Sequence, residues 1–308
     1  MHKLYVAVIG VGHLGSKHAK VYAELDRVVL AGVCDTDEEK GKKVAKKYHT
    51  QYYSNYYDIL DKVQAVSIAV PTFLHYQIAK ECLNKGIHVL IEKPITKTLE
   101  EADELLEIAK KNNLIIQVGH IERFNSAIRA IEPYIKSPRF IECNRLGPFV
   151  ERAADIGVVL DLMIHDIDII LGLIRSPVQG IEAVGVKSVS DHEDTANVRL
   201  TFANDIICDL TASRVTKKAQ RTIRISQEDS HINLNYLNQS AILYKRKSRR
   251  LKKERIKIIK EEPLKKELES FVHCVLENKR PIVSGEEARE ALGVAIDITK
   301  QIKAKLHE

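Results

Sequence analysis

The first 121 residues alternate short apolar runs with longer stretches in which apolar positions recur at helical spacing. The apolar runs predict strands over residues 4–9, 28–34, 65–70, 87–91 and 114–118. The stretches between them predict helices over residues 16–25, 37–48, 73–85 and 98–111. Thr98 followed by Glu101 is a capping box that marks the start of the last helix. Such alternation is typical of a parallel sheet with helices on both faces, so we predict a doubly wound α/β domain over residues 1–121.

The pattern changes from residue 138 onward, where closely spaced strands are joined by turns. Strands are predicted near residues 138–146, 180–187, 194–203, 205–213, 220–226, 231–236 and 241–245. Helices are predicted over residues 153–174, 263–277 and 286–306. This order indicates an open, mostly antiparallel sheet accompanied by helices, and therefore a second, α+β domain over residues 122–308.

A glycine-rich turn connects the first predicted strand to the first predicted helix. Gly10, Gly12 and Gly15 form the pattern G-x-G-x-x-G directly after the apolar run 6–9. In this context Gly10 permits a tight turn, Gly12 leaves room for a pyrophosphate, and Gly15 allows close packing of helix and strand. The helix N-terminus then offers its N–H groups to phosphate oxygens. The motif predicts a dinucleotide-binding domain of the Rossmann type.

Asp35 ends the second predicted strand and lies 20 residues after the last glycine of the turn. An acidic residue at this spacing accepts hydrogen bonds from the adenosine ribose of the dinucleotide. Its negative charge repels a 2′-phosphate, and the neighbouring Thr36 and Asp37 provide no positive charge that would attract one. We therefore expect the cofactor to be NAD in preference to NADP.

Lys93 lies between Glu92 and Pro94, directly after the apolar run 88–91. The carboxyl end of a strand in a doubly wound sheet borders the crevice where a dinucleotide binds. Pro94 favours an extended backbone at Lys93, which would hold the ammonium beside the cofactor. A lysine that ends a strand is also often only solvated, and the tripeptide alone does not distinguish these alternatives.

Asp161 and His165 are four residues apart within the predicted helix 153–174, and this spacing places both side chains on one helix face. A carboxylate one turn from a histidine can orient the imidazole and raise its basicity, as general-base catalysis requires. Alternatively, the two residues form an ordinary surface pair. Asp166 and Asp168 are also close, so the spacing does not identify which carboxylate faces the ring.

The order of these motifs resembles that of the Gfo/Idh/MocA family, named for glucose–fructose oxidoreductase and inositol dehydrogenase. Further segments are similar to segments of the family over residues 69–75, 119–125 and 281–295. One departure is that only Gly157 remains of a glycine run that often precedes the aspartate in family members. The resemblance covers nearly the whole chain and implies an NAD-dependent oxidoreductase.

The resemblance also implies roles for individual residues. The catalytic positions are Lys93, Asp161 and His165. The positions that contact the cofactor NAD are Gly10, Gly12, His13, Leu14, Gly15, Asp35, Pro71, Thr72, His75, Glu92 and Lys93. The positions that contact the substrate are Lys93, Arg123, Asn125, Asp161 and His165. No metal ion is implied.

These roles combine into one reaction. NAD accepts a hydride from a carbon that carries a hydroxyl group, and the hydroxyl proton must pass to a base. His165 is the best base, because histidine ordinarily titrates near neutral pH. Lys93 can donate a hydrogen bond to the reacting oxygen, and Asp161 can hold the imidazole ring. The predicted reaction is the oxidation of a secondary alcohol to a ketone.

Residues 118–125 and 161–168 look most like the nucleotide-sugar branch of the family. That likeness implies a UDP-N-acetylhexosamine that is oxidised at C3 to the 3-keto sugar. The cations that could hold its pyrophosphate, chosen by position only, are Arg145, Arg152, Arg214 and Lys217. Two alternatives remain: a dehydrogenase of a free cyclic polyol or sugar, and a non-catalytic regulator that binds NAD.

Composition narrows the class of protein further. The chain of 308 residues is long enough for two domains, and no apolar run reaches the ~18 residues that a transmembrane helix needs. The N-terminal segment lacks the features of a signal peptide. Five cysteines without a C-x-x-C pair favour reduced thiols. We therefore expect a cytoplasmic enzyme without a membrane partner.

The net charge of +6 is local, since residues 245–260 carry +9 and leave the rest of the chain at −3. Dense Lys and Arg can bind nucleic acid, but this segment has few aromatic residues and no known motif. Lysines also protect edge strands from pairing with other strands. We favour a solvated hairpin or edge strand and expect no nucleic-acid partner. The open sheet instead suggests a homodimer or homotetramer that forms through the exposed face of the sheet.

Overall fold

The computed structural model describes residues 3–151, 156–248 and 250–306, which form two compact units. The first unit contains the chain up to Ile121 together with Glu262–Arg289. The second unit contains Glu122–Glu261 together with the chain from Glu290 onward. Each unit is built on a sheet of its own and has its own hydrophobic core.

The sheet of the first unit has six strands, and all neighbouring strands are parallel. These strands are β1 (Leu4–Ile9), β2 (Val28–Cys34), β3 (Gln51–Tyr53), β4 (Ala65–Ile68), β5 (His88–Ile91) and β6 (Ile116–Val118). Their order across the sheet is β3-β2-β1-β4-β5-β6. The predicted doubly wound architecture is confirmed. Strand β3 was not predicted from the sequence, because three residues are too few to show the period of a strand.

The sheet of the second unit has eight strands in the order β14-β13-β12-β11-β7-β10-β9-β8. These strands are β7 (Pro138–Leu146), β8 (Val178–Val186), β9 (Thr195–Phe202), β10 (Ile207–Ser213), β11 (Gln220–Gln227), β12 (Ser230–Asn235), β13 (Ser240–Lys247) and β14 (Arg250–Ile256). Strands β7 and β10 pair in parallel, and the other neighbouring strands are antiparallel. The predicted open, mostly antiparallel sheet is therefore confirmed.

The α-helices of the described residues are α1 (Gly15–Glu24), α2 (Glu38–Lys47), α3 (Tyr57–Leu60), α4 (His75–Asn84), α5 (Leu99–Asn112), α6 (Ser126–Ile131), α7 (Ile164–Ile174), α8 (Pro263–Glu277) and α9 (Gly285–Leu306). The predicted capping box precedes α5. The Glu101 N–H donates to the Thr98 hydroxyl at 3.3 Å, and the Thr98 N–H donates to the Glu101 carboxylate at 3.2 Å. The start of this helix is thus fixed by its local sequence.

Helix α8 belongs to the first unit, whereas the sequence analysis assigned its residues to the second domain. Its apolar face contributes Leu268 and Phe271 to the core that also contains Val6 and Tyr22. Hydrophobic periodicity predicts a helix and its buried face, but it does not indicate which sheet that face will cover. The chain therefore returns to the first unit before it completes the second.

The two faces of the eight-stranded sheet have different character. One face carries alternate apolar residues such as Ile141, Val198 and Leu210, which pack in the core of the second unit. The opposite face is polar, and there the Arg199 guanidinium forms a two-pronged ion pair with the Asp209 carboxylate at 2.8 and 2.9 Å. This alternation is typical of an antiparallel sheet that is covered on one side.

Strands β13 and β14 form a hairpin at the edge of this sheet and carry most of the basic segment. Lys245 lies opposite Lys252 across the hairpin, and both ammonium groups form ion pairs with Glu254 at 3.4 and 3.1 Å. The other basic residues of β14 are exposed. The interpretation of the segment as a solvated edge hairpin is confirmed.

We predict that the positive charge of this hairpin is not needed for turnover. A variant with four exposed cations replaced by glutamine should retain kcat within about 3-fold of the parent, because surface substitutions of this kind change little. The four cations are Lys247, Arg250, Lys253 and Arg255.

The matched control replaces four exposed lysines of α5 and α9 by glutamine, namely Lys110, Lys111, Lys300 and Lys303. A gel-shift assay of the parent at ~150 mM salt should show no tight complex with RNA or DNA. Sub-micromolar binding that only the hairpin variant loses would contradict the prediction.

Within the described ranges, no helix is long and apolar enough to cross a membrane. All five cysteines lie in these ranges and are buried as free thiols. Burial raises the pKa of Cys34 and Cys82 to about 12. The cysteines therefore act as small apolar core residues, as their scattered spacing predicts.

Candidate active site

The glycine turn has the backbone geometry that its motif predicts. Gly10 has a φ of +84°, and a Cβ there would lie 2.7 Å from the Ala69 carbonyl oxygen. A Cβ on Gly15 would lie 1.8 Å from the Gly10 carbonyl oxygen, so the start of α1 approaches the turn more closely than a side chain allows. A Cβ on Gly12, by contrast, would meet no atom within 4 Å. The turn is therefore tight underneath and open above Gly12, as a bound pyrophosphate requires.

A cavity of about 620 Å³ opens beside this turn at the carboxyl ends of β1, β2 and β4. It lies within the first unit and has the size of pockets that hold cofactors and small ligands. Its lining residues are Ile9, Gly10, Gly12, Cys34, Asp35, Thr36, Ser54, Asn55, Tyr56, Ala69, Val70, Pro71, Leu74, Gln77 and Ile78. The position is the switch point of the sheet, where strand order reverses at β1 and β4 and where dinucleotides bind. The cavity thus fits the adenosine half of NAD.

The Asp35 carboxylate is held in a fixed orientation at the rim of this cavity. Its Oδ2 accepts the Val11 N–H at 2.7 Å, and its Oδ1 accepts the Asp37 N–H at 2.9 Å. None of the described residues that line the cavity is basic. A 2′-phosphate would therefore meet a negative charge and find no cation, whereas ribose hydroxyls would find an acceptor.

We predict that NADH binds at least about 10-fold more tightly than NADPH, since one repelled phosphate costs on the order of 1.4 kcal/mol or more. Asp35→Asn should narrow this ratio by removing the repulsion. The matched control is Asp37→Asn, which alters the cap of α2 but lies outside the cavity lining. Calorimetric titration with both cofactors provides the measurement. Equal affinity of the parent for NADH and NADPH would show that Asp35 has no such role.

The adenosine side of the cavity includes residues that the sequence analysis missed. Ser54, Asn55 and Tyr56 follow β3, and Gln77 lies on α4. Because β3 was not predicted, the segment after it had no assigned position at the edge of the sheet. The available signal was the aromatic and polar run 52–57, which is unusual for a plain loop. Tyr52 helps to fix the backbone at Asp35, since its hydroxyl donates to the Asp35 carbonyl at 3.0 Å.

Lys93 lies two residues after the end of β5, which neighbours β4 in the same sheet. Its side chain is half-buried, and its peptide bond to Pro94 is cis. Glu92 is only 9% exposed, and its carboxylate turns inward. The Glu92 Oε2 accepts the Lys93 N–H at 3.3 Å, and the Glu92 Oε1 lies 3.1 Å from the His18 Nε2. Lys93 therefore stands on a backbone that is anchored from within the fold.

Most of the remaining predicted cofactor contacts lie at the open side of the crevice. His13 is exposed and its Nε2 lies 3.1 Å from the Lys17 ammonium, while Leu14 is 41% exposed at the start of α1. Pro71 lines the cavity and is exposed, and Thr72 is half-buried. Their contacts with the cofactor stay predictions.

The structure places His75 differently from the sequence analysis, which gave it a cofactor contact. Its side chain is 1% exposed, and its ring nitrogens each lie 2.9 Å from a backbone carbonyl, those of Val70 and Pro94. Burial lowers the pKa of His75, so the ring is neutral at pH 7 and donates to one carbonyl at a time. His75 ties the turn after β4 to the turn after β5, and we remove it from the proposed cofactor contacts.

Asp161 and His165 lie at the start of the helix that the sequence analysis predicted over 153–174. Residues 153–155 and Arg152 lie outside the described residues. A π-helical turn, Val159–Met163, carries Asp161 and continues directly into α7, which carries His165. Both side chains are half-buried. Such turns are frequent at functional sites because the extra residue redirects side chains.

The structure resolves which nearby carboxylates are structural. The Arg145 Nε donates to the buried Asp166 carboxylate at 2.8 Å. The Asp168 carboxylate, which is also buried, lies 3.5 Å from the Arg123 guanidinium. Asp161 is the half-buried carboxylate of this helix, and it lies one turn before His165. That Asp161 orients the His165 ring stays a prediction.

Gly157 explains how the π-helical turn begins. A Cβ on Gly157 would lie 1.9 Å from the Glu193 carboxylate, which is almost fully buried. The Glu193 Oε1 accepts the Val159 N–H at 3.4 Å, and the Glu193 carbonyl accepts the Val158 N–H at 2.9 Å. Glu193 thus satisfies N–H groups at the start of the turn that have no partner within it. The one glycine that remains of the family's glycine run is the one this contact needs.

Two of the cations that were chosen as pyrophosphate ligands are instead buried inside the second unit. Arg145 is 3% exposed and pairs with Asp166 and Glu122, and Arg214 is 2% exposed and pairs with Asp194 at 2.8 Å. Position in the sequence did not reveal this, because each partner carboxylate is at least 20 residues away along the chain. Lys217 is exposed and remains a candidate.

Asp194 is fully buried in a ring of donors. Its Oδ2 accepts the N–H groups of Ser188, Val189 and Ser190 at 2.7, 2.7 and 3.0 Å, and its Oδ1 accepts from Arg214. Burial alone would raise the pKa of Asp194, but these hydrogen bonds hold it well below its usual range. The carboxylate therefore organises the loop between β8 and β9.

We predict that Asp194→Asn destabilises the protein by about 3 kcal/mol or more at pH 7, because it leaves Arg214 buried without a counter-charge. The pKa of this carboxyl is lower in the folded protein than in the unfolded chain, where it is about 4. The ionised carboxylate therefore stabilises the folded state above about pH 4, and this stabilisation is lost as the pH falls further. The difference between parent and variant should therefore shrink below about pH 4. Urea unfolding at several pH values measures it, with Asp209→Asn on the exposed sheet face as control. A difference that does not vary with pH would contradict the prediction.

Arg123 and Asn125 were expected to contact the substrate. Arg123 is mostly buried beside Asp168, and a Cβ on Gly172 would lie 2.3 Å from its guanidinium. Asn125 is 3% exposed, and its side chain accepts the Ala127 N–H at 3.1 Å and donates to the Tyr236 carbonyl at 3.0 Å. Asn125 is thus engaged as the N-cap of α6, and we remove it from the proposed substrate contacts. Arg123 is retained as a proposal.

Among the described residues, no group of three or more His, Cys, Asp and Glu side chains could hold a metal ion.

Comparisons with known proteins agree with this geometry. A family model described as an oxidoreductase family with an NAD-binding Rossmann fold matches residues 4–120, and the model of the Gfo/Idh/MocA C-terminal domain matches residues 119–232. UDP-N-acetylglucosamine 3-dehydrogenase from Acidithiobacillus ferrooxidans is 34% identical over 99% of both chains. A solved structure of that enzyme has a TM-score of 0.94, with 35% identity over 99% of both chains. scyllo-Inositol 2-dehydrogenase (NAD(+)) from Bacillus subtilis is 25% identical over 98% of this chain and 95% of its own.

Proposed function

Because the chain belongs to the Gfo/Idh/MocA family of NAD-binding oxidoreductases, we propose that it oxidises the C3 hydroxyl of a UDP-N-acetylhexosamine to a ketone, with NAD as the hydride acceptor. The observation that carries the proposal is a likeness over the whole length of both chains to a UDP-N-acetylglucosamine 3-dehydrogenase, in sequence and in fold. Because the likeness covers both units, it supports the proposed cofactor and the proposed substrate.

The residues that would hold NAD come from the first unit. The open space above Gly12 and the N–H groups at the start of α1 would receive the pyrophosphate. The Asp35 carboxylate would accept hydrogen bonds from the adenosine ribose, with Tyr56 and Gln77 around the base. When bound, NAD supplies the electrophilic ring that takes up the hydride. The remaining steps depend on side chains of this protein.

In the proposed mechanism, His165 removes the proton from the substrate hydroxyl, and Lys93 donates a hydrogen bond to the same oxygen. The ammonium of Lys93 stabilises negative charge as it develops on that oxygen. Asp161 keeps the imidazole oriented and stabilises the imidazolium that forms. The proton therefore ends on His165 and the substrate carbon becomes a carbonyl, so that the substrate loses two hydrogens in total.

A second candidate substrate is a free cyclic polyol. It is favoured by the full-length likeness to scyllo-inositol 2-dehydrogenase, a relative whose substrate carries no nucleotide. We rank it second, because the identity to that relative is 25% against 34% for the nucleotide-sugar enzyme. The burial of Arg145 and Arg214 leaves Arg152 and Lys217, of the four cations chosen from the sequence, as the proposed contacts for a pyrophosphate.

We further propose that the protein works in the cytoplasm as a homodimer or homotetramer. Buried free thiols suit a reducing compartment. The polar face of the eight-stranded sheet carries ordered charge pairs such as Arg199–Asp209 and Arg224–Glu142, which suit a contact with a second copy of the same face. Sedimentation analysis of the parent and of an Arg199→Glu variant tests the assembly, since like charges would then oppose each other.

The substrate is tested by following NADH formation with a panel of alcohols at equal concentration. The panel contains UDP-N-acetylglucosamine, UDP-N-acetylgalactosamine, free N-acetylglucosamine and scyllo-inositol. We expect kcat/KM for one UDP-sugar to exceed that for the free sugar by about 100-fold or more, because the diphosphate adds ionic contacts. Transfer of deuterium from C3-deuterated UDP-sugar to the cofactor identifies the carbon that is oxidised.

The outcomes separate the alternatives. If scyllo-inositol is turned over faster than both UDP-sugars, the alternative proposal of a polyol dehydrogenase would be correct. Tight NADH binding without turnover of any alcohol would favour the non-catalytic regulator. Transfer of deuterium from a carbon other than C3 would keep the dehydrogenase and correct the position of the oxidised hydroxyl.

A further inference from the structure

A buried chain of polar side chains runs beneath Lys93 in the first unit. His18 lies in the first turns of α1 and is 0% exposed. Its Nε2 lies 3.1 Å from the Glu92 Oε1, and its Nδ1 lies 3.0 Å from the hydroxyl of Ser67 on β4. The same Ser67 hydroxyl lies 3.0 Å from the hydroxyl of Tyr22, one turn further along α1. The chain thus connects α1 and β4 with the turn that follows β5.

One assignment of protons satisfies this whole chain. The Tyr22 hydroxyl donates to the Ser67 oxygen and the Ser67 hydroxyl donates to the His18 Nδ1, so the His18 Nε2 carries a proton and faces the Glu92 carboxylate at the distance of an ion pair, 3.1 Å. Burial raises the pKa of Tyr22, so its hydroxyl stays protonated and remains a donor. In this arrangement His18 presents the N–H group of its Nε2 towards the buried carboxylate.

Glu92 has no room to turn elsewhere. A Cβ on Gly119 would lie 2.8 Å from the Glu92 Oε2, which shows how closely β6 and its following turn enclose the carboxylate. The same Oε2 accepts the Lys93 N–H at 3.3 Å. A buried carboxylate needs such partners, because its charge is costly without them. The charge contact with His18 therefore helps to hold the carboxylate, and the carboxylate accepts the backbone N–H of Lys93.

From these contacts we infer that His18 is a positioning residue for Lys93, which acts through Glu92 and joins the glycine-turn helix to the lysine turn. The inference rests on the proposed role of Lys93 at the reacting oxygen. It assigns the Glu92 carboxylate to the backbone of Lys93, whereas the resemblance assigned it to the cofactor. Because α1 begins at the glycine turn, the link sets the distance from the pyrophosphate site to the lysine turn within one unit.

The experiment compares two replacements of His18. Leucine fills the space but offers no N–H, whereas glutamine can bring an amide N–H close to the position of the His18 Nε2. We expect His18→Leu to lower kcat by about 10-fold or more, since a small displacement of a catalytic group costs this much. The Kd for NADH and the substrate KM should change by less than about 3-fold. His18→Gln should restore kcat to within about 3-fold of the parent.

The matched control is His88→Leu at the other end of β5. His88 also makes one internal contact, since its Nδ1 accepts the Ile115 N–H at 3.0 Å. Its replacement tests the loss of a histidine from the same strand without touching Glu92. It should lower the melting temperature and leave kcat within about 2-fold of the parent. A fall in kcat equal to that of His18→Leu would mean that the effect is one of general stability, and the inference would be wrong.

A second measurement does not depend on the substrate. Trace acetylation of the protein without ligands, quantified by mass spectrometry, gives the reactivity of Lys93 relative to the exposed Lys97 on the same turn. This ratio should change by about 3-fold or more in His18→Leu and return to the parental value in His18→Gln. The reason is that the reactivity of a lysine depends on the charges and the solvent around its amino group. An unchanged ratio, or a His18→Gln variant that behaves like His18→Leu, would overturn the inference. If the parent oxidises none of the sugars, the proposed function fails, but the labelling ratio still decides the role of His18.

Discussion

Replacement of Lys93 by methionine is expected to lower kcat by about 100-fold or more, because the ammonium stabilises charge that develops mainly in the transition state. Methionine preserves much of the length and apolar volume of lysine, so the half-buried turn should keep its packing. The substrate KM should change less than kcat, since the lost interaction is weak in the ground state. The measurement is steady-state kinetics with the preferred substrate of the panel.

The control for this prediction is Lys97→Met, which removes the same charge four residues away on the surface. It should leave kcat within about 2-fold of the parent. Melting temperature and NADH affinity should be near parental in both variants. A Lys93→Met variant that loses NADH affinity in proportion to kcat would show that Lys93 serves mainly to bind the cofactor.

Replacement of His165 by alanine is expected to lower kcat by about 100- to 10,000-fold, which is the usual effect of removing a general base. Because a base must be unprotonated to act, kcat in the parent should rise with pH through the apparent pKa of the base and then level off. This acidic limb should disappear in His165→Ala, where hydroxide or water must remove the proton. The pH dependence thus separates a base from a residue that only shapes the site.

Two further variants complete this test. Asp161→Asn should lower kcat by an intermediate factor, on the order of 10-fold. The His165 base remains in this variant, but the carboxylate that orients its ring is lost. His231→Ala provides the control, because His231 lies on the sheet of the second unit and its Nδ1 contacts the Ser226 hydroxyl at 3.0 Å. It should leave both kcat and the pH profile near parental. Retention of the acidic limb in His165→Ala would require a different base.

Local sequence determined the parts of the site that depend on near neighbours. The glycine turn needs a positive φ at Gly10 and a missing side chain at Gly15, and these demands are met by residue type alone. Asp35 follows because strand β2 must end beside that turn. The capping box of α5 is also a contact between residues three apart. Each of these features could be predicted because its energy comes from atoms within a few residues.

The sequence also determined the two kinds of sheet, since the period of apolar positions distinguishes parallel strands with crossover helices from an antiparallel series. The short run 52–57 was too weak a signal to predict β3, so the position of Tyr56 in the cavity was not predicted either. The sequence also placed α8 in the wrong unit, because a helix with one apolar face can cover either sheet. The positions of β3 and α8 both depend on which sheet edge or sheet face remains exposed after the rest of the chain has folded.

Tertiary structure alone decided the partners of the buried polar groups. Arg145 and Arg214 looked like substrate cations, yet each is neutralised by a carboxylate brought close by the fold. His75 looked like a cofactor contact, yet its ring lies between two backbone carbonyls. His18 showed no signal at all until α1 brought it to within 3.1 Å of Glu92. The physical reason is common to all four: a buried charge or ring nitrogen must find a partner, and the local pattern of the sequence does not show which distant residue the fold will bring near.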